Sequence, residues 1–94
     1  MNQYILLVMK WIKSPNTITR EELKANLDKF NLEYSNVDIE HNSIIKAKYK
    51  AAYYSMLCTH YNFEKKHFSS AVRWVNVYFS LSNEDFNDYL AELN

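Results

Sequence analysis

Apolar residues recur along this chain in blocks separated by short polar stretches, and most blocks repeat at the i, i+3/i+4 spacing of a helix. The first block, "YILLVM" with Trp11 and Ile12, covers nearly the whole circumference of a helix over residues 2–13. A helix that is apolar all round belongs in a core or an interface. As a strand it would have no second strand to pair with. "SPNT" then breaks the chain. In "TREE", Thr19 and Glu22 stand at capping-box spacing. They open a helix over residues 20–30 with Leu23, Leu27 and Phe30 on one face. "NLEYSNVDIEHN" follows as a polar connection anchored by Leu32, Tyr34, Val37 and Ile39.

A third helix over residues 43–61 carries two stripes. One is Ile44, Ala47, Ala51, Tyr54, Cys58 and Tyr61. The other is Ile45, Tyr49, Ala52, Met56 and Thr59. The small pair Ala51 and Ala52 would let a neighbouring helix approach closely. Asn62 suits a joint cap, ending this helix and starting the next. That fourth helix, residues 63–80, has a core stripe of Phe68, Ala71, Val72, Val75 and Phe79. Trp74, Tyr78 and Leu81 make a second apolar edge. "SNED" opens a last helix with Ser82 as N-cap and Asp85 at N3, and with Phe86, Tyr89 and Leu93 as its face. Glu84 and Asp85 then fall in a first turn, where the helix dipole favours acids. The expected fold is all-α, a single domain over residues 1–94, built as a compact bundle of about five helices.

Composition supports that reading. The chain is 48% hydrophobic and 23% charged, a balance that sustains one packed core and not a disordered segment. It contains no glycine, where about six or seven would be average. Two-residue hairpins favour that residue and glycine-rich phosphate loops need it, so its absence argues against β-hairpin folds and excludes P-loops and dinucleotide fingerprints. Helices can end on asparagine instead, and Asn31 and Asn62 sit where helix ends are expected. A single cysteine, Cys58, rules out an internal disulfide and a Cys-rich zinc site, and fits a reducing cytoplasm. The six unbroken apolar residues before Lys10 are too few for a membrane span, and no signal-peptide pattern surrounds them.

Net charge is zero, but it is segregated. Residues 41–80 hold six basic side chains against one acidic, and residues 81–94 hold four acidic and no basic. Lysines interleaved with tyrosines in "KAKYKAAYYSMLCTHY" could grip a phosphate backbone. A true nucleic-acid binder, however, is usually basic as a whole domain. Nucleic acid is therefore not the expected partner. Lys46 and Lys50 share a helical face with Tyr53, while Lys48 points elsewhere. Fifteen aromatic residues, eight of them tyrosine, are more than a bundle of this size buries completely. Lys46, Lys50, Tyr53 and Tyr49, together with Trp74 and Tyr78, are the expected partner-binding residues, because tyrosine and tryptophan anchor protein interfaces.

Catalytic chemistry has no comparable support. Cys58 and His60 are two residues apart, which splits them across a helix. His41, His60 and His67 lie on different segments, and no three or four ligands stand at zinc spacing. The acidic pairs Glu21–Glu22 and Glu84–Asp85 are explained by capping. No metal, cofactor or catalytic residue is expected.

"VMKWIKSPNTITREELKANL", "VRWVNVYF" and "DFNDYLAEL" together resemble small proteins of tailed phages and prophages. Those share a short apolar first helix ending in a Lys–Trp pair, here Lys10 and Trp11. They continue with a Thr-x-x-Glu cap and an Ala/Tyr-rich middle. They close with a Trp-Val-Asn segment, here Trp74, Val75 and Asn76. The likeness covers both ends, while the middle is less alanine-rich. The resemblance implies an accessory protein that acts in the host cytoplasm. Such proteins commonly bind and inhibit a host protein, defence systems such as CRISPR included. Self-association through the first or fourth helix is also expected. The alternatives are a structural or regulatory homo-oligomer without a foreign target, and a small nucleic-acid or nucleotide binder.

Overall fold

Five α-helices and no strand build the chain in the computed structural model, which describes residues 1–94. They are α1 (Gln3–Lys13), α2 (Arg20–Glu33), α3 (Ser43–His60), α4 (Lys65–Leu81) and α5 (Phe86–Leu93). Single 3-10 turns at Pro15–Thr17 and Ile39–His41 bridge α1 to α2 and α2 to α3. The all-α expectation holds. No helix is long and apolar enough to cross a membrane.

The frame is the α3–α4 hairpin. Its antiparallel register is fixed by the Cys58 thiol donating to the Glu64 carbonyl at 3.3 Å near the turn, Tyr54 stacked on His67 further along, and the Lys48 ammonium 6.0 Å from the Tyr78 ring beyond that. Small residues make this closeness possible. Ala47, Ala51, Ala52, Ser55, Cys58 and Ala71 are all fully buried. The buried face of α3 is thus made by its smallest side chains, and large neighbours fill the space they leave.

The largest of those neighbours come from α1, which packs against α2, α3, α4 and α5. Its Ile5, Val8 and Trp11 have no exposed surface, and Tyr4, Leu6 and Met9 are nearly as buried. Fully burying one such aliphatic side chain stabilises by roughly 1.5–3 kcal/mol, so α1 is the main apolar contribution to the core. The all-round apolar pattern of this segment therefore describes a central helix that the rest of the same chain encloses. Trp11 lies against Phe63 and Phe68, with ring centroids at 6.0 and 5.4 Å. At the other end of α1, Tyr4 meets the edge of Phe30 on α2 at 5.4 Å and donates to Glu33 Oε2 at 3.2 Å.

Side-chain caps set the helix starts. Asn2 Oδ1 accepts from the Ile5 amide, Thr19 Oγ1 from the Glu22 amide and Asn42 Oδ1 from the Ile45 amide, at 3.0–3.1 Å. The Thr19 cap is the expected one. Four boundaries differ from the sequence reading. α2 runs past Asn31 to Glu33, because Phe30 and Tyr34 still gain from packing there and no left-handed residue stops the helix. Asn62 does end α3, in the left-handed conformation at φ 58°. The Phe63 amide then bonds back to the Cys58 carbonyl at 2.8 Å, the Schellman arrangement. Asn62 does not start α4, however. Phe63 is itself left-handed at φ 57°, and Glu64 takes the N-cap position without a side-chain bond. Finally, Ser82 closes α4, and Asp85, not Ser82, caps α5 by accepting from the Asn87 amide at 2.8 Å. Glu84 and Asp85 thus precede the first turn of α5.

Several expected anchors are not core. Leu32 is 79% exposed, and Val37, Ile44 and Tyr61 are also exposed. None of the four belongs to the core cluster or to the side chains packed on it, so their apolar spacing marks surface here. The expected second edge of α4 also divides. Tyr78 continues the buried Ala71–Val75 row, Trp74 is half-buried and Leu81 is exposed.

Candidate partner-binding surface

The outward face of α3 follows from its inward one. With Ala47, Ala51, Ser55 and Cys58 turned to the core, a 100° step per residue places Lys46, Tyr49, Lys50 and Tyr53 on the far side. All four are half-buried. α3 contains three lysines and no acidic residue, so the face is basic throughout.

Its aromatic rings are not loose. Phe30 packs at a tilt against Tyr34 at 4.6 Å and against Tyr49 at 5.7 Å. Tyr49 lies nearly parallel to Tyr53 at 5.8 Å, and Tyr53 meets the edge of Tyr54 at 5.2 Å. Tyr54 in turn stacks on His67 of α4. The result is a continuous strip from the end of α2, across α3, to the start of α4. Each ring restricts its neighbour, so the strip meets a partner with part of its rotamer entropy already removed.

Lysines flank this strip in different ways. Lys46 pairs with Glu40 at 3.1 Å. Lys50 makes none of the chain's ion pairs, and its ammonium sits 5.9 Å from the Tyr49 ring. Lys48 leaves the Lys46–Lys50 edge and turns toward the end of α2, where it donates to the Tyr34 hydroxyl at 3.3 Å while lying 5.5 Å over that ring. One unpaired ammonium beside stacked tyrosines is a surface suited to a partner with both apolar and acidic groups.

The other expected binding residues are not part of this surface. Tyr78 is only 3% exposed and is a core residue. Trp74 pairs with the Arg73 guanidinium, 5.7 Å away, and joins none of the ring contacts of the strip. Conversely, half-buried Tyr34 adjoins the strip through Phe30, which is fully buried and backs the tyrosines from beneath, although the sequence reading marks neither for binding. Their signal is their i, i+4 spacing at the end of α2.

Cys58 and His60 diverge. Cys58 is fully buried, and burial pushes its thiol pKa up, away from a reactive thiolate. His60 is exposed against Tyr61. No three His, Cys, Asp or Glu side chains converge as metal ligands would. No protein-family model, curated protein or solved structure matches the chain.

Proposed function

We propose that this chain is a non-enzymatic binding protein of the phage accessory type, which inhibits a host protein, one of a defence system included, by covering a surface that protein needs. It works in the host cytoplasm, without metal or cofactor, and associates with itself. The observation that carries this reading is the Tyr49–Tyr53 stack with Lys46 and Lys50 beside it on a helix free of acids. Occlusion requires a rigid patch with aromatic anchors and a charged rim, and this is such a patch. The resemblance of both chain ends to small phage proteins supplies the choice of a host protein as target.

The test is capture from host lysate with wild type and Tyr53→Ala side by side, together with a gel shift on mixed DNA and RNA. A protein retained by wild type and released by Tyr53→Ala, with the fold intact, is the expected result. A salt-sensitive gel shift with no protein retained would replace this reading by the nucleic-acid one, since Lys46, Lys48 and Lys50 would then be gripping phosphates.

A further inference from the structure

α5 is held to the rest of the chain at few points. α1 to α4 pack on one another without it: α3 meets α1, α2 and α4, and α1 also meets α2 and α4. Of the 13 residues in the core cluster, α5 supplies Tyr89 alone. Phe86 is 42% exposed and Leu90 38%, so two more of its apolar side chains stand partly in water. Beneath them lies an open groove of about 230 Å³, lined by Met9 and Ile12 of α1 and by Val72 and Val75 of α4. The helix therefore does not fill its own seat.

Polar ties are equally few. Tyr89 carries the two bonds to Asn2 and Glu84. Lys13 Nζ donates to the Leu93 carbonyl and to Asn94 Oδ1, both at 3.0 Å, but these bonds are exposed and compete with water. No residue of α5 enters an ion pair. Phe79 of α4 adds edge contacts to Phe86 and Tyr89, with ring centroids at 5.1 and 4.8 Å. A helix of eight residues has little stability of its own, since isolated helices below about 12–15 residues are marginal in water. Once its contacts are lost, nothing keeps α5 folded.

We infer that α5 is a strap, which opens and recloses as one unit about residues 82–85 while α1 to α4 stay folded. Local openings cost anything from almost nothing to the whole of global unfolding, and a sparsely anchored helix belongs at the low end. Closed, the strap keeps Met9 at 5% and Val75 at 4% exposure. Open, it bares them together with Ile12 and Val72, as an apolar patch shared by α1 and α4. The fold thus hides or presents this patch according to the position of eight residues. The Tyr89 hydroxyl is the latch, because Tyr89 is fully buried and bonded to the start of α1. The inference does not depend on what the tyrosine strip binds.

Hydrogen exchange on the intact chain tests it, read by mass spectrometry at several urea concentrations below the unfolding transition, beside hydrogen-peroxide labelling of methionine. Amides 90–93 should exchange at least about tenfold faster than the slowest amides of α3. Urea should change their rate little, because opening a short helix exposes little surface, whereas the α3 amides should accelerate steeply. Met9 should oxidise with the same shallow urea dependence, with exposed Met1 as the reference for the reagent. Tyr89→Phe keeps the ring and removes the latch, so it should raise α5 exchange and Met9 oxidation together, by about tenfold. Should that variant fail to fold, the wild-type measurements decide alone. α5 amides and Met9 that follow α3 in rate and urea slope would overturn the strap. So would fast α5 exchange with Met9 protected as long as α3, since α5 would then fray without uncovering α1. A folded Tyr89→Phe that leaves both rates unchanged would overturn the role of the hydroxyl.

Discussion

Tyr89 joins the two ends of the chain through one hydroxyl. It is fully buried on α5, donates to Glu84 Oε1 at 2.7 Å and accepts from the Asn2 amide at 2.6 Å. One hydroxyl thereby ties the start of α1 to the segment before α5. Periodicity places Tyr89 on the buried face, but its two hydrogen-bond partners lie 87 and 5 residues away, and no local pattern announces them. Tyr89→Phe should destabilise by about 1–3 kcal/mol, since it leaves a part-buried amide and a carboxylate without their partner. Burial, with the Glu84 carboxylate beside it, raises the hydroxyl's pKa well above its ordinary 10.0. The folded state therefore holds the neutral form more tightly than the unfolded chain does. This contribution is complete below about pH 10 and is lost as pH rises from there through the folded value. Denaturant melts at rising pH should show stability falling above about pH 10, and the fall should be smaller in Tyr89→Phe. At Cys58 the same physics blocks reaction: a buried thiol with raised pKa should resist alkylation in the native protein and label quickly in denaturant. Rapid native labelling followed by mass spectrometry would contradict this.

At the scale of elements, legibility depends on whether the deciding interaction is local. Thr19 caps α2 as its spacing indicates, because a cap and its amide are three residues apart. The end of α2 is not legible in this way, since Asn31 is a permissive stop and the packing of Phe30 on Tyr34 overrides it. The α3–α4 joint is half legible. Asn62 is left-handed as an asparagine cap should be, but a second left-handed residue at Phe63 breaks the rule that bulky side chains avoid this region. Phe63 is held there by the bond from its amide to Cys58 and by its contacts with Trp11 and Phe68. The two positions should respond differently. Asn62→Gly should be neutral or stabilising, by up to about 1 kcal/mol, because glycine adopts positive φ freely. Asn62→Ala should cost about 1–2 kcal/mol, the penalty of a β-carbon in the left-handed region. Phe63→Gly removes the strain and the ring contacts together, so it should still destabilise. Urea titration of the three variants orders them.

For the whole molecule, the all-α class and the single core are readable from the absence of glycine and the helical spacing, because both act everywhere along the chain. The role of α1 is not. An all-apolar helix looks the same whether its own chain or another copy covers it, and only the packing of α2 to α5 around Ile5, Val8 and Trp11 decides. The shared face of Lys46, Tyr49, Lys50 and Tyr53 is legible because all four lie on one helix. What helices do where they join is not legible: Tyr78 turns inward with Ala71 and Val75, and buried Phe30 backs Tyr49 from α2. This division between core and surface makes a matched pair of substitutions on α3 informative. Ala51→Leu enters the fully buried side, where small residues set the approach of α1 and α4. Overpacking there should cost about 1–3 kcal/mol, and any loss of binding should track the loss of fold. Tyr53→Ala, two residues on and half-exposed, should leave the melting transition nearly in place while costing about 1–3 kcal/mol of partner affinity. Lys46→Ala and Lys50→Ala should act mainly on association rate and salt dependence. Because Lys46 is partly neutralised by Glu40, Lys50→Ala should show the larger effect on rate. Binding kinetics at two salt concentrations, measured beside thermal melts, separate the two sides of the helix. A Tyr53→Ala variant that unfolds with Ala51→Leu would assign Tyr53 to the core and leave the strip without its central anchor.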